Sequence, residues 1–187
     1  AAMVALPAAA YADTTVRWDE GGTKDVEVTV SGSVKSSTGI APQGKLEVEL
    51  PVSMDFSVDQ NGTFVGTSYK VTNRSKSDVV LSVANFTETN KQGGINVLPT
   101  SQASSIDTMG RENVIMALVG DNSKHVDLGD FSNQKGKEIL RVKGNNGVGT
   151  IELTGVAGKS EITSANGVDN TTGVAETFNL VFQIKKG

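Results

Sequence analysis

The sequence predicts an all-β fold, a two-sheet antiparallel sandwich of jelly-roll or Greek-key type. Apolar and polar residues alternate with a period of two in many short segments, as in strands with one buried face. Asn-Gly pairs, a strong hairpin signal, stand at residues 61–62, 146–147 and 166–167. No window of helical length combines a 3.6-residue period with start and stop signals. About ten short strands separated by turns indicate a sandwich.

Five of the predicted strands lie in the first half of the chain. They are residues 26–30, 46–50, 54–58, 63–71 and 79–86, each with apolar residues at alternate positions. In the second of them, Glu47 and Glu49 alternate with leucine and valine, which predicts a solvated face for the two carboxylates. In the last, Val79, Leu81 and Val83 are expected to point into the core.

The second half begins with a predicted long loop, because residues 91–110 are rich in Ser, Thr, Gly and Asn. Residues 113–119 are apolar on both faces and bounded by glycines, which predicts a buried central strand. Three more strands are predicted at residues 139–142, 148–153 and 174–184. In the last strand Phe178, Leu180, Phe182 and Ile184 share one face and are expected to point inward.

Composition limits the domain count and the partners. The 187 residues fit one domain, which we assign to residues 13–187, after an apolar segment at residues 1–12. A net charge of −4 argues against nucleic-acid binding. The absence of cysteine excludes disulfides, thiol nucleophiles and cysteine-ligated metals. No apolar run approaches the roughly 18 residues of a membrane span.

The apolar segment at residues 1–12 reads AAMVALPAAAYA and precedes a charged, polar chain. Ala10-Tyr11-Ala12 has the small-x-small form that precedes a signal-peptidase cut, so the segment is interpreted as a signal-peptide remnant. This interpretation implies export, and we expect a secreted, extracellular protein at the cell surface.

The same segment is a candidate interface strand. In an extended conformation both of its faces are apolar, with Met3, Val4, Leu6, Ala8 and Ala10 as the interface residues. Twelve extended residues reach roughly 40 Å, enough to complete the sheet of a neighbouring subunit by strand addition. An intramolecular strand and a plain leader remnant stay open as alternatives, and Pro7 counts against a central position in a sheet.

Four stretches of the sequence carry a family resemblance: LPVSMDFSV at residues 50–58, YKVTNRS at 69–75, DVVLSV at 78–83 and FNLVFQIK at 178–185. Together they resemble the camelysin/TasA-like secreted β-sandwich proteins of Gram-positive bacteria, which include biofilm-fibre subunits. The resemblance implies a fibre or pilus subunit whose N-terminus can donate a strand to the next subunit.

Candidate catalytic and metal-ligating residues are few. His125 is the sole histidine, and its sequence neighbours Ser123 and Asp127 do not by themselves make a catalytic triad. One histidine without cysteine argues against a zinc site. Residues 59–62 and 127–130 faintly resemble calcium loops but lack the full ligand spacing. We therefore expect no enzyme activity and no cofactor.

The resulting hypothesis is a structural subunit of an extracellular fibre, a pilus or biofilm-matrix filament, that polymerises through its N-terminal strand. Its expected partners are copies of itself, with other cell-surface or matrix components as further candidates. The alternatives are a monomeric cell-surface binding or adhesin module and, with less support, an extracellular hydrolase. Trp18, Tyr11 and Tyr69 are too scattered to indicate a sugar-stacking platform.

Overall fold

Strands dominate the part of the chain that the computed structural model describes, residues 13–28, 44–88, 94–163 and 176–187. The strands are Asp13–Asp19 (β1), Thr23–Val28 (β2), Lys45–Pro51 (β3), Phe56–Val58 (β4), Phe64–Gly66 (β5), Ser68–Asn73 (β6), Val79–Glu88 (β7), Asn96–Val97 (β8), Asn113–Val119 (β9), His125–Asp127 (β10), Glu138–Val142 (β11), Gly147–Ala157 (β12) and Phe178–Lys186 (β13). Short 3-10 turns lie at Thr100–Gln102, Ile106–Thr108, Asp121–Ser123 and Leu128–Asn133.

The strands form two main sheets and one small hairpin, which confirms the all-β prediction. The first sheet has the order β1-β3-β6-β12-β9-β10, and the short β8 pairs in parallel with β9. The second sheet has the order β11-β7-β13-β2 and is antiparallel throughout. The hairpin β4-β5 forms a separate two-stranded sheet that packs on β12.

Both sheets contribute to one hydrophobic core. Leu46, Leu118 and Ile151 come from the first sheet, while Leu81 and Phe182 come from the second, and all five are fully buried. Burial of apolar surface on this scale is the main favourable term in folding. No helix among the described residues is long and apolar enough to cross a membrane.

The predicted core strands are confirmed where their side chains are described. Val79, Leu81 and Val83 of β7 are fully buried, as are Phe182 and Ile184 of β13. Phe178 and Leu180, on the same face of β13, are partly buried and pack against the core. In β9, Val114, Ile115, Met116 and Leu118 are all buried, so both faces are covered as their apolar pattern predicts.

Several elements were missed by the sequence pattern. Strand β1 was not predicted, and it exists because every residue from Asp13 to Asp19 pairs with β3. The predicted loop at residues 91–110 contains β8 and two 3-10 turns. Strand β13 begins at Phe178 instead of residue 174, and residues 174–175 lie outside the described part.

The solvated face predicted for Glu47 and Glu49 is wrong. Glu47 is fully buried, and its Oε2 lies 2.5 Å from Nε of Arg17 on the neighbouring strand β1. Glu49 accepts hydrogen bonds from Nη2 and Nε of Arg74 at 2.6 and 2.9 Å. Because a buried carboxylate needs a partner, these arginines fix β1 and the turn after β6 against β3.

Replacing Phe182 by Ala should lower the free energy of unfolding by about 3–5 kcal/mol, since the side chain is fully buried at the centre of the second sheet. Chemical denaturation measures the loss. Val148→Ala is the matched control, because this side chain is 58% exposed and its removal should cost less than about 0.5 kcal/mol. A loss for Phe182→Ala below about 1 kcal/mol would mean that the faces of β13 are wrongly assigned.

Asp78 links the turn before β7 to the hairpin between β11 and β12. Its carboxylate accepts hydrogen bonds from Nζ of Lys143 at 2.8 Å and from the Gly144 N–H at 3.0 Å. The hydrogen bond from Lys143, followed by that from Gly144, lowers the pKa of Asp78 below its ordinary value of 3.8. Because the pKa of Asp78 is lower in the folded state, its ionised form stabilises the fold at pH values above the ordinary pKa of an aspartate. This stabilisation is lost as the pH falls through the folded-state pKa.

Asp78→Asn should therefore lower the melting temperature at neutral pH but change it little in strong acid. Thermal unfolding followed from about pH 7 down to about pH 2.5 should show the two curves converging below the ordinary pKa of an aspartate. Curves that stay parallel over the whole range would show that ionised Asp78 does not stabilise the folded state.

Candidate functional site

The predicted interface residues Met3, Val4, Leu6, Ala8 and Ala10 lie outside the described residues. The described chain begins at Asp13, the first residue of β1, which pairs with Pro51 at the end of β3. β1 is an edge strand of the first sheet. The described residues can therefore show acceptor surfaces for an added strand, but not the position of residues 1–12.

A column of phenylalanine rings spans the gap between the two sheets at one end of the sandwich. Phe64 stacks on Phe56 with ring centroids 5.3 Å apart, Phe56 lies 6.2 Å from Phe178, and Phe178 stacks on Phe86 at 5.4 Å. Such pairs add about 0.5–1.5 kcal/mol beyond the area they bury. All four rings are only partly buried, so this end of the core is less completely covered than its centre.

A glycine in β12 makes room for the column. A Cβ atom at Gly155 would lie 2.9 Å from the ring of Phe64 and 2.6 Å from the carbonyl oxygen of Ile115. The Phe64 ring therefore occupies the space that a side chain at residue 155 would fill. In this way hairpin β4-β5 is docked against β12, and its aromatic rings bridge to β13 and β7.

Beside the column an open groove of about 480 Å³ runs between β7 and β8. It is lined by Phe86, Thr87, Asn96, Val97, Leu98, Asn113, Leu128, Gly129 and Phe178. The lining is apolar or uncharged throughout. Its volume falls in the range of about 300–1,000 Å³ that ligand sites occupy.

One bank of the groove is a sheet edge that has a partner on one side only. Residues 84–88 of β7 pair with β13, but the other neighbour, β11, pairs only with residues 79–82. Val83 pairs with Phe182 and Asn85 with Val181, so Ala84 is an extra residue, a β-bulge. The bulge lies in the pairing with β13, which continues beyond it, whereas pairing with β11 has already ended at Ser82. Among the described residues no strand pairs with the other side of residues 84–88.

The opposite bank also offers backbone groups. The N–H groups of Asn96 and Leu98 donate to the carbonyl oxygens of Glu112 and Val114 on the β9 side. Because backbone groups of successive residues point to opposite sides of a strand, those of Val97 point away from β9. The groove therefore has hydrogen-bonding backbone on both banks and uncharged side chains, some apolar and some polar, between them.

Most of the half-paired part of β7 lacks the charges that commonly protect a sheet edge. Residues 84–87 read Ala-Asn-Phe-Thr, and a charged residue, Glu88, follows only at the end of the strand. The outer strands of the two sheets do carry charge, for example at Arg17 in β1, Lys24 in β2, Asp127 in β10 and Arg141 in β11. Charged residues on an edge discourage pairing with another chain, so the uncharged stretch in β7 is the edge best suited to accept a strand.

His125 has no catalytic neighbourhood in the described part of the chain. The imidazole is exposed, its Nδ1 lies 3.2 Å from the backbone carbonyl of Ser123, and its Nε2 lies 3.9 Å from Oδ1 of Asp127. No described hydroxyl group is hydrogen-bonded to the ring. The sequence neighbours Ser123 and Asp127 are therefore not arranged as a nucleophile and its base.

The two faint calcium motifs serve as local turns. In the hairpin between β4 and β5, Oδ1 of Asp59 accepts hydrogen bonds from the N–H groups of Asn61 and Thr63 at 2.8 and 2.9 Å. In the second motif Asp127 and Asp130 accept hydrogen bonds from the side chains of Gln134 and Asn133. The described residues contain no group of three or more His, Cys, Asp or Glu side chains placed to hold a metal ion.

The sequence pattern did not identify the groove, because its banks are consecutive strands that enter different sheets, and a local pattern does not show which sheet a strand joins. The single available signal was the uncharged run at residues 84–87. No protein-family model, curated protein or solved structure matches the chain. Its function is therefore inferred from its own residues.

Gly155→Ala should destabilise the fold by about 1–3 kcal/mol, because the added methyl group meets the Ile115 carbonyl and the Phe64 ring. Gly21→Ala is the matched control, since a Cβ atom at residue 21 would meet nothing within 4 Å. Chemical denaturation of both variants tests the docking of the hairpin. Equal stability of the two variants would contradict the packing described for Phe64.

Proposed function

We propose that the chain is a structural subunit of an extracellular fibre, and that subunits join when residues 1–12 of one copy add a strand to the next. The observation that carries the proposal is the uncharged stretch at residues 84–87 of β7, which pairs on one side only among the described residues and borders an uncharged groove. An edge of this kind is a template for strand addition, a mode in which main-chain hydrogen bonds supply affinity and pockets supply specificity.

The composition of residues 1–12 supports the proposal. Apart from Tyr11 every residue is Ala, Met, Val, Leu or Pro, and none is charged. Burying apolar surface contributes roughly 25 cal/mol per Å², so Met3, Val4 and Leu6 would supply much of the association energy. In the same copy the segment continues directly into β1, so that each donated strand is covalently joined to the next domain.

A chain without cysteine folds independently of redox conditions, so its fold does not require one particular compartment. An extracellular fibre subunit without disulfides depends on packing and strand pairing for its durability. The ion pair of buried Glu47 with exposed Arg17 and the partly buried pair of Glu49 with Arg74 add non-covalent links between strands.

A second candidate is a monomeric cell-surface binding module. It is favoured by the partly exposed rings of Phe86 and Phe178, which share the groove with the amide side chains of Asn96 and Asn113. Apolar rings with a few polar groups suit a small ligand. This alternative requires a stable monomer whose assembly state does not depend on residues 1–12.

Deleting residues 1–12 should leave a folded monomer that forms no filaments, because the donated strand is missing while the core is intact. Negative-stain electron microscopy and size-exclusion chromatography of the full and shortened chains test this expectation. Filaments of normal length from the shortened chain would contradict strand donation by this segment.

Replacing Val4 and Leu6 together by Asp should mimic the deletion, because a buried, unpaired carboxylate is costly. Ala1→Asp with Ala2→Asp, at the distal end of the segment, is the control with the same added charge. The free peptide of residues 1–12 should shorten filaments of the intact chain, since it fills an acceptor without bringing another domain. If both double variants polymerise equally well, the apolar residues are not buried in the assembly.

A further inference from the structure

We propose that the acceptor is the groove between β7 and β8, and that its occupant is residues 3–8 of a second copy of the chain. The inference rests on the proposed function and gives it a definite binding site. The inserted strand would pair with residues 84–88 of β7, beyond the point where β11 ends. It would occupy the position that a longer β11 would have filled in the second sheet.

The length of the free edge matches the apolar part of the segment. Within the described parts of the chain, five residues of β7, Ala84 to Glu88, pair on the β13 side only. At about 3.3 Å per residue this edge is about 17 Å long and accepts a strand of five or six residues. Residues 3–8 supply six residues. They include Met3, Val4 and Leu6, which carry the largest apolar side chains among residues 1–10.

The side-chain alternation also fits the groove. In an extended strand Val4, Leu6 and Ala8 lie on one face, which can turn toward the apolar lining of the groove. Pro7 cannot donate a hydrogen bond, so it is tolerated only where its nitrogen faces away from the paired strand. The inserted strand would pair with β7 on one side only. Its other side would be unpaired, and the Pro7 nitrogen can face that side.

The groove is held open without an occupant. The N–H group of Ile95, just before β8, donates to Oε2 of Glu176, just before β13, at 2.8 Å. On the other side the N–H group of Gly136 donates to the Val83 carbonyl at 2.9 Å, where a positive φ of 80° turns the chain away from β7. Both contacts fix the banks of the groove through residues that do not pair with an added strand.

Cysteine cross-linking tests the site, since the chain contains no cysteine of its own. Val4→Cys is placed in one copy and Thr87→Cys in another, and the two are co-expressed, oxidised and separated by non-reducing electrophoresis. Thr87 is exposed and lines the groove. We expect a disulfide-linked heterodimer, with the peptide pair identified by mass spectrometry. Lys24→Cys on β2 and Val148→Cys on the outer face of β12 serve as controls and should link at least about tenfold less.

The outcomes separate this inference from the proposed function. Filaments that depend on residues 1–12 but cross-link at Lys24→Cys would overturn the groove and leave strand donation standing. An intrachain link in the double variant Val4→Cys/Thr87→Cys, found in monomers only, would place the segment in the groove of its own chain and overturn the fibre. Absence of cross-links at all three cysteines together with absence of filaments would overturn both.

A binding measurement gives a second, independent test. A fluorescent peptide of residues 1–12 should bind the shortened chain, and Val97→Asp should weaken binding at least about tenfold by placing a charge in the groove. Val148→Asp, outside the groove, should change binding less than about twofold. Thr87→Arg, at an exposed residue of the groove rim, should also weaken binding without disturbing the core. Unchanged affinity in both groove variants, with folding verified by circular dichroism, would contradict the site.

Discussion

Apolar side chains from two sheets meet in one layer, and their burial holds together a chain that has neither disulfides nor many aromatic residues. Most of that layer consists of Val, Leu and Ile, which pack closely between pleated surfaces. Four of the six phenylalanines are used elsewhere, in the column that closes one end of the sandwich. The open groove adjoins this end. There phenylalanine rings from the hairpin and the second sheet take the place of the aliphatic side chains that fill the centre.

The described structure combines a firmly fixed side with an open one. Arginine–glutamate pairs fasten β1 to β3 and the turn after β6, and Asp78 fastens the hairpin between β11 and β12. On the side of β7 and β8, by contrast, pairing of β7 with β11 ends at Ser82, before the bulge at Ala84. This early end leaves open the surface to which we assign assembly, because a longer β11 would have covered it.

The sequence predicted those parts of the fold that depend on local pattern. The strands β7, β9 and β13 follow from alternation or from continuous apolar runs, and the inward residues Leu81 and Phe182 follow with them. Burial of Glu47 was not predictable, since its partner Arg17 lies 30 residues away and only strand pairing brings the two together. The groove was missed for the same reason: a missing neighbour on β7 is a property of the sheet order, which no local pattern reveals.

The order of the second sheet also dictates when the fold can be completed. Strand β13 lies between β7 and β2, so among the described strands β2 has no partner, and β7 has only β11, until residues 178–186 have been synthesised. Pairing between segments so distant in sequence is slow to form, because loop closure costs entropy before contacts repay it. An emerging chain therefore cannot complete its second sheet until its C-terminal strand is available.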